Sequence, residues 1–134
     1  MKVIQFVPTL DSGGVEQGVL EMSRALVENN HESHVVSAGG RLVDQLIQNG
    51  THHHIWNLHK KNIFTFKHVK PLRKWIMSIN PDIIHVRSRM PAWIVWQALK
   101  GIPLNIRPSL VSTIHGLYSV NFYSAIMSKP QNII

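Results

Sequence analysis

The sequence contains no cysteine. That excludes disulfide scaffolds and thiolate zinc sites, and it fits a reducing compartment. No apolar run approaches the ~18 residues that a membrane-spanning helix requires. The apolar stretch from Val3 to Leu10 runs into Asp11 and Gly13-Gly14, not into a small-residue cleavage site. It is therefore expected to be a first strand entering a loop, not a secretion signal. Acidic residues are scarce: 7 Asp and Glu stand against 14 Lys and Arg, a net charge of +7 with 9 histidines held neutral. Such a balance favours anionic partners, whether phosphates, acidic lipids or nucleic acid. Aromatic residues make up only 7%. Around the basic run Lys60, Lys61, Lys67, Lys70, Arg73 and Lys74 they are too sparse for a single-strand stacking platform, so no nucleic-acid partner is expected. That run reads either as a solvated helix face or as a contact with an anionic membrane surface.

What is present is a folded composition. The 134 residues are 44% hydrophobic and 16% charged, the size and make-up of one domain with a core of its own. Val3 to Val7 suits a buried parallel strand. Val15, Val19, Met22 and Leu26 then recur at helical spacing, predicting a helix from Val15 to Glu28 stopped by Asn29-Asn30. Strands follow at Ser33 to Ala38, Thr51 to Leu58, Ile83 to Val86 and Leu110 to Ile114, with the start of a sixth at Asn132 to Ile134. Between them the spacing predicts a short helix around Leu42 to Ile47 and a longer one from Phe66 to Ile79. A further helix from Ala92 to Leu99 begins after Pro91, and a last one spans Phe122 to Met127. Alternating strands and helices imply an α/β fold: a Rossmann-like parallel sheet of at least five strands with helices on both faces. In such sheets ligands bind beyond the carboxyl ends of the strands, where the strand order reverses.

Three loops at those ends carry unusual residues. The first is Thr9-Leu10-Asp11-Ser12-Gly13-Gly14-Val15-Glu16-Gln17-Gly18. Glycines let the backbone approach a ligand, and the following helix offers free N–H groups to a phosphate. A tight turn without a ligand is the equally open alternative. The pattern is neither G-x-G-x-x-G nor a P-loop, which counts against a nicotinamide dinucleotide. The second loop, His85-Val86-Arg87-Ser88-Arg89-Met90-Pro91-Ala92-Trp93, brings two guanidiniums that can grip phosphate or carboxylate in two-pronged fashion. They could equally be surface charges, with Trp93 packing the helix on the sheet. The third, Thr113-Ile114-His115-Gly116, sets a histidine at a strand end, where it can bond a substrate or share its proton. It can also be a structural histidine bonded to nearby backbone. In the run His52-His53-His54 only His52 and His54 can share a strand face, no carboxylate stands beside them in sequence, and no metal site is expected.

Taken in order, Gly13-Gly14-Val15-Glu16-Gln17, Ser23-Arg24-Ala25-Leu26, His31-Glu32, Val35-Val36, Pro81-Asp82-Ile83-Ile84-His85 and Thr113-Ile114-His115-Gly116 resemble the N-terminal domain of retaining GT-B glycosyltransferases. This is the large family that includes sucrose synthases and bacterial lipopolysaccharide and mannosyl transferases. The segment His85 to Trp93 is similar to a subgroup of bacterial envelope-sugar transferases. The resemblance implies one half of a GT-B fold, with residues 1–134 forming a truncated acceptor-side domain and the C-terminal donor-binding domain absent. It implies sugar transfer from a nucleotide sugar, the co-substrate, to an envelope glycan or lipid-linked acceptor, with no metal and no cofactor. By the same resemblance Gly13 and Gly14 approach the donor diphosphate, and His115 stands at the transferred sugar as the catalytic candidate. Glu16, Gln17, Arg87 and Arg89 face the acceptor. The isolated chain is expected to be inactive, cytoplasmic or peripheral at the inner face of the membrane, and prone to self-association. Two rivals stand beside this reading: a non-catalytic domain that binds a phosphorylated glycan or lipid head group, and an oxidoreductase fragment.

Overall fold

Strands that are apolar at nearly every residue cannot present one face to water, and here they are covered on both. The computed structural model describes residues 1–11, 13–113, 126 and 132–133. β1 (Lys2–Phe6), β2 (Glu32–Ser37), β3 (His52–Ile55), β4 (Ile83–Val86), β5 (Ser109–Ser112) and β6 (Asn132–Ile133) form one sheet in the order β3-β2-β1-β4-β5-β6. Every pairing is parallel. The chain builds outward from β1 to β3 and then crosses back to β4. The strand order therefore reverses between β1 and β4, which pair from Val3↔Ile83 to Phe6↔Val86. The expected α/β sheet with helices on both faces is present.

α1 (Gly14–Glu28) and α2 (Val43–Gln48) cover one face over a cluster of Val7, Leu10, Val19, Leu20, Val35 and Leu46. α3 (Val69–Ile79) and α4 (Arg89–Lys100) cover the other, where Leu72, Ile76, Ile94 and Val95 pack on Ile4, Phe6, Ile84 and Val86. Side chains alternate along each strand. Gln5 and Arg87 consequently fall on the α1 side while their neighbours Phe6 and Val86 enter the larger core. α3 ends on Asn80 in the left-handed region (φ 54°), with Pro81 behind it. Arg73 braces α3 against α4: its Nε donates to the Ala98 carbonyl at 2.8 Å and its Nη2 to that of Gln97 at 3.1 Å. One member of the basic run is therefore a structural cap.

Two helix starts differ from expectation, and proline explains both. The segment expected as one helix from Phe66 begins instead as a 3-10 turn, Ile63–His68, with α3 starting at Val69. A continuous α-helix would need Pro71 to donate to the carbonyl of Lys67, and it has no N–H to give. α4 begins at Arg89, three residues earlier than expected, with Pro91 inside its first turn. The first-turn N–H groups have no partner within the helix, so a proline there loses nothing. β3 is shorter than expected: after Trp56 N–H donates to the Ser37 carbonyl (2.8 Å) the chain leaves the edge, and Leu58 tucks into the core. The expected helix from Phe122 to Met127 lies outside the described residues except for Ile126, which is buried.

Candidate functional site

The carboxyl ends of β1 and β4 lie side by side, and both lead directly into helices. Gly13 caps α1 with φ 137° and ψ 175°, a conformation closed to residues with a side chain. Among the described residues no side chain caps the helix start. The first-turn N–H groups and the positive end of the helix dipole thus face the space above the sheet. The Glu16 carboxylate folds back over Gly13, with Oε2 2.7 Å from where a Cβ on that residue would stand. Gly14 is open, and a Cβ there would meet nothing within 4 Å.

The loop after β1 is held by a second glycine pair, after β2. Leu10 N–H donates to the Gly39 carbonyl (2.9 Å) and Leu42 N–H to the Leu10 carbonyl (2.8 Å). Arg41 Nε donates to the Asp11 carbonyl at 3.1 Å. Gly40, at φ 150°, lies so close that a Cβ would stand 2.4 Å from the Leu10 carbonyl group. The loop before α1 is therefore a braced shelf.

Arg87 supplies the charge beneath it. It is 7% exposed. Its Nε donates to Gln5 Oε1 at 3.1 Å, and Gln5 Nε2 donates to Ser23 Oγ of α1 at 2.9 Å. Its Nη1 reaches Gly18, 3.4 Å from where a Cβ would stand. Gly14 and Gly18 are one helical turn apart and share a face. Among the described residues no carboxylate lies within ion-pair distance of Arg87. Burial pushes its pKa down from the usual arginine value. A buried cation answered only by an amide is costly unless an anion completes it.

The structure thus brings Gly13, Gly14 and Glu16 together at the first turn of α1, with Arg87 against the next turn at Gly18. Arg89 is the first residue of α4, half-exposed at the same edge of the sheet. Gln17 turns elsewhere, onto an open groove between α1 and α2 that Glu21, Arg24, Gln45 and Gln48 also line. His115 lies outside the described residues. The neighbouring Thr113 accepts its place beside β4 through its N–H, which donates to the Val86 carbonyl (3.2 Å), and its hydroxyl bonds the buried His85 ring. Trp93 packs against the core and Trp96, as a packing residue does.

The chain can now be set beside known proteins. The family model described as Glycosyltransferase Family 4 matches residues 12–133. The chain belongs to glycosyltransferase family 4. A glycosyltransferase from Rickettsia africae ESF-5, known from its crystal structure, is 31% identical with a TM-score of 0.80. The match covers 98% of this chain and 35% of that protein, so these residues span about a third of its length. A putative UDP-N-acetylglucosamine 2-epimerase from Listeria monocytogenes shares the fold alone, at 21% identity and a TM-score of 0.56 over 92% of this chain and 32% of that one. No curated protein matches the chain. The sheet and its helices correspond to one half of a GT-B glycosyltransferase fold, which bears out the expected architecture.

Within this family-4 domain, several members of the site escape a motif search. Gln5 and Ser23 position Arg87, and Gly39-Gly40-Arg41 carry the shelf. Signals existed for both groups. A glutamine in the middle of Val3-Ile4-Gln5-Phe6-Val7 breaks the apolar run, and a glycine pair at the end of β2 repeats the one after β1.

Proposed function

We propose that this domain forms the acceptor side of a glycosyltransferase that keeps the anomeric configuration of the sugar it moves. The sugar comes from a nucleotide-sugar co-substrate and goes to an envelope glycan or lipid-linked acceptor at the inner face of the membrane. In this reading the donor-binding half is a separate part of the enzyme, since these residues match about a third of the Rickettsia africae glycosyltransferase. Support comes from the family and, above all, from one observation: the Gly13-capped start of α1 and the buried Arg87, which reaches α1 at Gly18, follow the two strands between which the strand order reverses. When the bond from the anomeric carbon to the nucleoside diphosphate breaks, negative charge builds on the diphosphate. First-turn N–H groups aimed at that charge stabilise it without reorganising. Gly13 and Gly14 are assigned to this contact. Arg87 and Arg89 are assigned to an anionic group on the acceptor, with Glu16 beside them. Gln17, on the α1–α2 groove, would meet only an acceptor long enough to extend there. His115 is assigned to the transferred sugar. No metal or resident cofactor is invoked.

The buried Arg87 also favours a second reading, a non-catalytic domain holding a phosphorylated glycan or lipid head group. One substitution separates the two. In an enzyme reassembled from this chain and a family-4 donor-binding half, Gly14→Val should raise the donor KM about tenfold or more, since the site's backbone must approach the diphosphate. Among the described residues a Cβ at Gly14 meets nothing within 4 Å beyond its own turn of the helix, so the fold should be intact. Unchanged donor kinetics would remove the diphosphate assignment and leave the binding reading.

A further inference from the structure

The exposed apolar residues of the described chain are not scattered evenly. Ile63 is 79% exposed and Phe64 is 74% exposed, side by side on the 3-10 turn between β3 and α3. Two adjacent large apolar side chains in water call for an occupant. The turn that displays them is braced. The Asn62 side chain accepts from Phe64 N–H at 2.9 Å, and Thr65 N–H donates to the Asn62 carbonyl at 3.0 Å. The buried Thr65 donates its hydroxyl to the Lys60 carbonyl at 2.9 Å. At the far end of the turn Trp56 Nε1 donates to His68 Nδ1 at 3.0 Å. The apolar tip is held out by structure on both sides.

Its surroundings carry one sign of charge. Lys60, Lys61, Lys67, Lys70 and Lys74 are all exposed, flanking the tip and running down the first two turns of α3. From Gln45 to Pro81 the sequence contains no Asp or Glu at all, and α4, which packs on this turn, contains none either. The tip leaves the carboxyl edge of β3, the same edge of the sheet as Gly13 and Arg87.

An occupant must therefore be apolar where Ile63 and Phe64 enter and anionic around them. We propose that this turn docks on an anionic lipid bilayer, with Ile63 and Phe64 inserted at the acyl boundary and the lysines among the head groups. Each lysine near such a surface contributes roughly fivefold to binding, and an inserted apolar pair converts loose attraction into anchoring. The surface rests on its own residues. If the transferase reading also holds, docking presents the carboxyl edge of the sheet to a lipid-linked acceptor.

The test is co-sedimentation of the chain with phosphatidylethanolamine vesicles, with and without phosphatidylglycerol. Retention should require phosphatidylglycerol and fall with salt. The double variant Ile63→Ser/Phe64→Ser should bind about tenfold more weakly or worse, while Phe64→Trp retains binding. Lys60→Gln/Lys67→Gln should lose roughly 25-fold. Both double variants change exposed residues, and circular dichroism should show them folded. Retention by neutral vesicles equal to that by anionic ones would overturn the proposal. So would serine variants that bind as the wild type does, or a serine pair that turns a dimer into a monomer while vesicle binding stays constant. Neither donor nor acceptor is present in this measurement, so its failure and the failure of sugar transfer are read separately.

Discussion

At the scale of single residues, Arg87 separates a binding cation from a structural one. Its guanidinium is buried and bonded to Gln5, with no carboxylate in reach among the described residues. If its charge serves a ligand, then Arg87→Met removes an unbalanced buried cation and keeps the volume. The expected outcome is little net change in stability in urea, because removal of the buried charge offsets the stranding of Gln5 Oε1, with acceptor use lowered about tenfold to a hundredfold. Strong destabilisation with normal kinetics would make Arg87 a brace. Gln5→Leu should be costlier, because it strands Arg87 and Ser23 together and leaves the charge in place. It should cost about 1–3 kcal/mol by chemical denaturation.

A second residue-scale prediction concerns the histidines of the β2–β3 edge. His34 Nδ1 and His54 Nε2 lie 3.0 Å apart, the Glu32 carboxylate meets His34 Nε2 at 2.7 Å, and the His54 ring stands edge-on to Trp75. Burial, and then the neighbouring His34, His52 and His53, push the pKa of His54 down to about 4. Unfolded, it takes a proton near pH ~6.5. The unfolded chain therefore binds the extra proton between these values, and stability falls as the pH drops from about 6.5 to 4, then no further on this account. Glu32, whose pKa is lowered by its bond to His34, adds its loss only under more acidic conditions. Melting temperatures across that range should slope downward toward acid for the wild type and run flatter for His54→Phe. Parallel slopes would discharge His54.

At the scale of elements, the shelf before α1 depends on the loop after β2. Gly40→Ala places a Cβ 2.4 Å from the Leu10 carbonyl group at a φ that alanine resists. It should cost about 1–3 kcal/mol and disturb donor kinetics, although Gly40 touches no ligand in this account. A variant with unchanged stability would show that the shelf yields freely. What could be read from the sequence at this scale was decided by periodicity. Val15, Val19, Met22 and Leu26 placed α1 to within one residue, and Ile83 to Val86 was placed without error. The helix starts near Pro71 and Pro91 were misplaced because a proline excludes a bond, not a helix, and the first turn needs no such bond. The histidine-rich β3 was overextended because its polar run hides where the chain leaves the edge.

At the scale of the molecule, the alternation of strands and helices was enough to imply a parallel sheet, and its reversal between β1 and β4 follows from the crossover. The site was legible only as loops. That Gly14, Gly18 and Arg87 share one side of the sheet depends on a register set by strands 82 residues apart in Gln5 and Arg87. No local pattern carries that information. Gln17 turns onto a different groove from Glu16 for a local reason: consecutive residues of a helix point about 100° apart. The larger core should dominate stability. Ile76, fully buried between α3 and the sheet, should cost about 2–5 kcal/mol as Ile76→Ala. A much smaller loss in urea unfolding would mean that α3 is not packed as described.

The central claim is that these residues supply the acceptor half of a sugar transferase. The most direct measurement mixes the chain with a family-4 donor-binding half and follows nucleoside diphosphate release from UDP-, GDP- and ADP-sugars in the presence of envelope glycolipid. The account predicts release, with transferred label on the glycolipid, only when both halves are present, and a sharp fall with Arg87→Met. Continued absence of release at saturating concentrations of both folded halves, across all donors, would contradict it.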